Sequence, residues 1–194
     1  AHDIPENVKI IDLAQDFRLT PEIVTKTQHP TSLEHDFIYG LPEINASLIS
    51  RAQHVANPGC FATCIQLGLL PAAKLHLITK DVSVNAITGS TGAGQKPQAT
   101  THYSWRDNNL SIYKAFRHQH IPEICQSLKQ VQGFLNAKID FIPYRGCFTR
   151  GVFATEVVKT DVTGDEIIAG YKNFYKDTAF THYVDQPLDL KQVV

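Results

Sequence analysis

The sequence predicts an α+β domain, a mixed and mainly antiparallel sheet covered by helices on one side. Apolar, β-branched runs of strand length recur along the chain, and apolar residues at helical spacing fill stretches between them. Near the end, the runs Lys138 to Pro143 and Gly151 to Lys159 are separated by a short turn, as in a hairpin, whereas parallel neighbours need a long crossover. No repeat, linker or low-complexity tract interrupts the order, so a single domain over 1–194 is expected.

Val8 to Leu13 reads as a buried strand that delivers Asp16-Phe17-Arg18 to its end. Arg18 there is a candidate anion ligand, because a guanidinium grips phosphate through two parallel bonds; an ion pair with Asp12 or Asp16 is the competing reading. From Thr20 to Asp36, Pro21 and Pro30 break the pattern, so this stretch reads as loop with a short helix over 22–27 and solvated His29 and His35. Asn45 to Arg51 reads as a helix and Gln53 to Ala56 as a strand.

That strand runs into Asn57-Pro58-Gly59-Cys60, and the residues from Phe61 to Leu70 carry apolar side chains at helical spacing until Pro71, where the helix is expected to stop. Cys60 therefore sits at a strand-turn-helix joint. Unpaired N–H groups and the dipole at a helix N-terminus stabilise a thiolate, and thiols so placed fall to a pKa of roughly 3.5 to 7.5. Cys60 is thus a candidate nucleophile, against the reading that it fills a turn as a small hydrophobe.

Asp81 to Thr88 is a strand leading into Gly89-Ser90-Thr91-Gly92-Ala93-Gly94. Three glycines allow close backbone approach to a ligand, although the spacing is neither a dinucleotide fingerprint nor a P-loop. Thr100 to Asn109 is polar, with His102, Trp105 and Arg106, and Ser111 to Phe116 reads as a strand leading to Arg117-His118-Gln119-His120. Two histidines two apart in extended backbone point the same way. A metal site would need further ligands at recognisable spacing, which the sequence lacks, so the histidines read as an acid and base working near neutral pH. Pro122 and Glu123 suit the first turn of a helix that buries Ile121, Ile124, Leu128 and Val131.

Ala137 to Pro143 is a further strand, Tyr144 to Cys147 a turn, and Gly151 to Lys159 a strand opened by Arg150. Arg150 is a second candidate for substrate anions, with an ion pair to Glu156 or Asp140 as the alternative. Thr163 with Glu166 three residues later forms a capping box for a helix over Asp165 to Tyr175, and Phe180 to Asp185 reads as a closing strand.

The composition, 43% hydrophobic and 19% charged over 194 residues, supports a sizeable core. A formal net charge of −1 and the absence of a basic run give no case for nucleic acid or a membrane as partner. Four cysteines, Cys60, Cys64, Cys125 and Cys147, form no close-spaced framework, which fits free thiols and a cytoplasmic setting. The absence of methionine leads us to expect a piece of a longer chain.

Asn57-Pro58-Gly59-Cys60 resembles the cysteine motif of the N-acetyl-gamma-glutamyl-phosphate reductase family, and other segments agree with that family in the same order. They are Ile11 to Leu19, Tyr39-Gly40-Leu41-Pro42-Glu43, Gly89 to Gly94, His118 to Ile124 and Phe148-Thr149-Arg150-Gly151. The resemblance implies the fold of the catalytic domain of glyceraldehyde-3-phosphate dehydrogenase and aspartate-semialdehyde dehydrogenase, without the N-terminal dinucleotide-binding domain and the closing C-terminal segment. It implies NADPH-dependent reduction of N-acetyl-γ-glutamyl phosphate to the semialdehyde through a Cys60 thioester, in arginine biosynthesis. His118 or His120 would move the proton, Arg18, Asn57 and Arg150 would bind the substrate, and Gly89, Gly92 and Gly94 would meet the nicotinamide end of NADP. The full-length protein would be a homo-oligomer acting on a small acyl phosphate. Two rivals remain at this stage: a reductase of aspartyl or carrier-bound aminoadipyl phosphate, and a cysteine hydrolase or acyltransferase. A binding domain with an inert cysteine would require the ordered motifs to be coincidence.

Overall fold

Three short strands form a parallel sheet that brings distant segments to one edge. The structure, a computed structural model, describes residues 5, 7–20, 23 and 37–194. β1 (Ile10–Asp12), β2 (Ile38–Tyr39) and β3 (His54–Ala56) pair in the order β1-β3-β2, both pairings parallel. Asp12 and Tyr39 both lie beside Ala56, so the chain leaving each strand, toward Arg18, Gly40 and Cys60, emerges at the same end. Apart from Ile23, the helix expected over 22–27, together with His29 and His35, lies outside the described residues. α1 (Pro42–Ile49) follows β2 with proline in its first turn.

The larger sheet contains β4 (Val82–Thr88), β5 (Ser111–Ile112), β6 (Ile139–Arg145) and β7 (Val152–Val157), in the order β5-β6-β4-β7. Two of its three pairings are antiparallel, and the β4–β6 pairing is parallel. The α+β class with a mixed, mainly antiparallel sheet is therefore correct, but the hairpin is not. β6 and β7 flank β4 rather than pairing with each other, because the apolar β4 takes the centre of the sheet. Val82, Val84 and Ala86 of β4 are buried with Ile139 and Phe141 of β6 on the face covered by α2 (Cys60–Lys74) and α4 (Ile121–Gln132). The other face is open, and register places Ile112, Tyr144, Ile87 and Phe153 in one row across it.

Three further expectations are corrected. The strand expected over 111–116 stops at Ile112, because Lys114 and Phe116 turn the chain with φ of 46° and 60°. Phe180 to Asp185 is not a strand; side chains anchor this segment instead, Thr181 donating to Glu43 Oε1 (2.6 Å) and Asp185 pairing with Lys172 (3.0 Å). The helix after Cys60 does not stop at Pro71 but runs on to Lys74. A proline at 71 cannot donate to the Leu67 carbonyl one turn earlier. In this fold α5 (Gly164–Tyr175), started by the expected Thr163–Glu166 capping box, supplies the replacement: Tyr175 donates its hydroxyl to Leu67 O, and Tyr171 donates to Gly68 O at 2.7 Å. The two short helices, α3 (Tyr103–Arg106) and α6 (Leu190–Val193), pack at the margins. Among the described residues no helix is long and apolar enough to cross a membrane.

Tyr175→Phe should leave the Leu67 carbonyl without a partner and lower unfolding stability by about 1–2 kcal/mol. The measurement is a urea titration, with a lower midpoint at unchanged slope as the expected result. An unchanged midpoint would mean that the hydroxyl does not compensate for Pro71.

Candidate active site

A single carboxylate gathers the three segments that the parallel sheet delivers. Glu123, in the first turn of α4, is 2% exposed. Arg18 Nη1 donates to its Oε1 at 3.2 Å, while Tyr39 Oη (3.1 Å) and the Gly59 amide (3.0 Å) both donate to its Oε2. Arg18 Nη2 also donates to Leu13 O at 2.8 Å, and Gln66 Nε2 donates to Tyr39 Oη at 2.8 Å. Arg18 is thus a buried partner of Glu123, with neither Asp12 nor Asp16 as its ion-pair partner. Asn57 is exposed; its amide donates to Asp12 O at 2.8 Å and its side chain to Pro58 O at 3.2 Å, which closes the turn before the cysteine.

Cys60 is the first residue of α2, after an extended Gly59 N-cap, and its residue surface is open to solvent. The geometry is the expected one, but the electrostatic outcome differs. Burial of the thiol pushes its pKa above the ordinary cysteine range; the Phe61 and Cys60 amides and the Arg18 cation pull it down, and Glu123 pushes it up. The helix start therefore lowers the pKa without overcoming desolvation. All four cysteines are free, and burial with nearby Glu156 drives Cys64 up to about 12.

His120 lies in a turn, with φ of −83° and ψ of −10°, rather than in extended backbone, yet its ring and that of His118 meet edge-on with centroids 4.6 Å apart. His118 packs against Phe61 and Tyr113, and its Nδ1 accepts the His120 amide at 3.2 Å, so its proton sits on Nε2. The His120 ring presses on Gly59, where any Cβ would strike it. Its Nε2 is 4.0 Å from Glu123 Oε1, and its Nδ1 has no hydrogen-bond partner. Burial lowers both pKa values to about 4, helped by His120 and Lys114 for His118 and by Arg18 and Lys114 for His120. Both imidazoles are neutral at pH 7.

The three loop glycines have different surroundings. A Cβ at Gly89 would come within 2.6 Å of Thr149 O, and one at Gly92 within 2.8 Å of the Thr88 hydroxyl, whereas Gly94, with φ of 80°, faces open space. The amides of residues 89–92 and 94 donate within the protein, so the loop offers no cradle of free N–H groups to a phosphate. Beside Gly94 lies an open cleft of about 910 Å³, lined in part by Ser90, Lys96, His102 and Trp105. Arg150 is exposed and belongs to no ion pair among the described residues, with neither Glu156 nor Asp140 engaging it. The sequence does not point to the hydrogen-bonding roles of Glu123 and Tyr39. Their signals are Glu123's place three residues after His120 in a helix first turn and Tyr39's place in the Tyr39-Gly40-Leu41-Pro42-Glu43 segment.

Fold and site together define an α+β domain built around an exposed thiol at a helix start. Residues 60–194 match the family described as semialdehyde dehydrogenase, dimerisation domain, and the chain belongs to that family. Over its whole length it is 60% identical to proteins named N-acetyl-gamma-glutamyl-phosphate reductase from Bacteroides thetaiotaomicron and Bacteroides fragilis, and it spans 57% of their length. It is 54% identical over 193 residues to the protein of that name from Parabacteroides distasonis, of which it spans 56%. Among solved structures it shares the fold of aspartate semialdehyde dehydrogenase II from Vibrio cholerae, with TM-score 0.60 and 14% identity over 93% of this chain and 57% of that one. A probable aspartate-semialdehyde dehydrogenase from Pseudomonas aeruginosa matches with TM-score 0.53 and 12% identity over 88% of this chain and 53% of that one.

With burial outweighing the helix start, alkylation of Cys60 by iodoacetamide should keep accelerating above pH 8 rather than level off near neutrality. Cys64 and Cys125, which burial raises, should lag behind it. Peptide mass mapping across a pH series reads both. A plateau for Cys60 below pH 7.5 would mean that the helix start prevails.

Proposed function

We propose that the full-length protein containing this chain reduces N-acetyl-γ-glutamyl phosphate to N-acetyl-glutamate 5-semialdehyde and phosphate, using NADPH, and that Cys60 carries the acyl group. The observation that carries this reading is Cys60 at the start of α2, beside a neutral His120 packed on Gly59, in a chain 60% identical to proteins named for that reduction. His120 is the proton carrier of choice because its Nε2 faces Gly59, the residue before Cys60, whereas His118 spends its Nδ1 lone pair on a backbone amide.

The Cys60 sulfur attacks the carbonyl carbon of the acyl phosphate while its proton passes to His120. Amides at the start of α2 hold the negative charge that develops on the carbonyl oxygen. Collapse of that adduct breaks the carbon–oxygen bond to phosphate and leaves a thioester on Cys60. NADPH, when bound, supplies hydride to the thioester carbon. His120 then returns its proton as the carbon–sulfur bond breaks, freeing the aldehyde and the cysteine. Arg150, exposed and outside any ion pair among the described residues, is available to the phosphate. The cleft beside Gly94 fits a planar ring approaching the backbone, but the engaged loop amides leave most of the dinucleotide to sequence outside this chain. A second copy of the protein would pack on the open sheet face, where Ile112, Phe153 and Val157 stand 57%, 48% and 50% exposed.

A reductase holds its acyl group until hydride arrives. Full-length enzyme given acyl phosphate without NADPH should therefore accumulate an adduct of acyl mass on the Cys60 peptide, and NADPH should discharge it as aldehyde. Release of free acid at one rate with or without NADPH would identify a cysteine hydrolase instead.

His120→Asn should lower kcat by about 10²- to 10⁴-fold, and His118→Asn much less, in steady-state assays of folded full-length variants. Equal tolerance at both positions would remove the histidines from proton transfer.

A further inference from the structure

We propose that Arg145 binds the carboxylate that the substrate retains throughout the reaction, and so orients the acyl group toward Cys60. This rests on the reductase reading above. Arg145 ends β6 and shares the helix-covered face with Phe141 and Pro143. Its guanidinium lies over the Tyr113 ring, 4.9 Å from the centroid. The Tyr113 ring in turn packs against Phe61, the residue after Cys60, and against His118, with centroid distances of 6.4 and 5.7 Å. A cation thus stands one ring away from the thiol and the histidines.

The ring holds one face of the guanidinium and leaves its edge for a ligand. The Arg145 Nε is buried without a hydrogen-bond partner, and no carboxylate among the described residues forms an ion pair with this side chain. Arg18 differs, since Glu123 and Leu13 O occupy its guanidinium. A buried donor without an acceptor is costly, and a planar carboxylate bridging Nε and a terminal nitrogen is the ligand that fits such an edge. Burial pushes the Tyr113 phenol up and Cys60 adds to this, while the Arg145 cation and a hydrogen bond from its side chain draw it down, so part of the guanidinium is engaged by Tyr113. Arg145 therefore faces the far end of a substrate whose reacting carbon is at Cys60. The phosphate, bonded to that carbon, belongs nearer the sulfur.

The reverse reaction separates the two anions, because semialdehyde and inorganic phosphate are then independent substrates with NADP. In the full-length enzyme, Arg145→Gln should raise KM for the semialdehyde roughly 10- to 100-fold, while KM for phosphate stays within about two-fold. Arg145→Lys, which keeps the charge but loses the fork, should recover part of the loss and serves as the test variant if the glutamine form does not fold. A rise in KM for phosphate instead, or a lower melting temperature with both KM values unchanged, would overturn the assignment. Absence of NADP-linked turnover in the parent enzyme would remove the reductase reading itself, and the assignment with it.

Discussion

The structure depends on one buried carboxylate. Glu123 has lost its water, so its charge must be met by protein donors, and it takes them from three places that the sequence keeps far apart: Arg18 after β1, Tyr39 at the end of β2 and Gly59 after β3. Parallel pairing brings those segments to one edge, and the first turn of α4 brings the carboxylate to them. Breaking a buried pair of this kind by removing one partner costs about 3–5 kcal/mol, because the other charge stays buried. The same contact has a chemical consequence. By holding the Gly59 amide, Glu123 fixes the residue before Cys60, and with it the start of α2.

That arrangement sets the resting charge state. A helix start and a nearby guanidinium favour a thiolate, and a histidine beside it would favour an imidazolium, giving the ion pair usual for activated cysteines. Here burial acts against both charged forms at once, raising the thiol and lowering His118 and His120 to about 4. Glu123 also offsets the help Arg18 gives the thiolate. Thiol and imidazole therefore rest neutral, and in the proposed reaction the proton would move as the sulfur attacks rather than beforehand. A neutral imidazole whose Nε2 faces Gly59 is suited to that order of events.

Local patterns in the sequence were readable where the chemistry is local. The Thr163–Glu166 capping box, the helix start at Pro122 and the strand-turn-helix joint at Cys60 each depend on neighbouring residues, and each stands in the structure. What failed depended on distant partners. The β6–β7 hairpin was lost because β4, more than fifty residues upstream, inserts between the two strands. Pro71 did not end its helix because Tyr175, over one hundred residues downstream, answers the carbonyl that proline leaves free. Arg18 reads in the sequence as a candidate anion ligand, with Asp12 or Asp16 as the competing ion-pair partners, whereas its partner Glu123 lies on another element. Tyr113 and Arg145 stand in no recognisable motif; their relation is created by the β5–β6 pairing and the bend after Ile112.

The bend itself explains why the histidines sit beside Glu123. Had the strand continued past Ile112, His118 would have stayed in extended backbone on the sheet. Positive φ at Lys114 and Phe116 is unfavourable for side-chain-bearing residues, and the turn is held by Phe116 N donating to Phe141 O at 2.8 Å and Lys114 Nζ donating to Gln119 Oε1 at 2.9 Å. It turns the chain inward so that His120 becomes the N-cap of α4. Residues three apart on a helix share a face, so Glu123 comes up beside the His120 ring, and both reach Gly59 from the same side. Only glycine fits there: a side chain at 59 would displace the His120 imidazole from its place beside the start of α2.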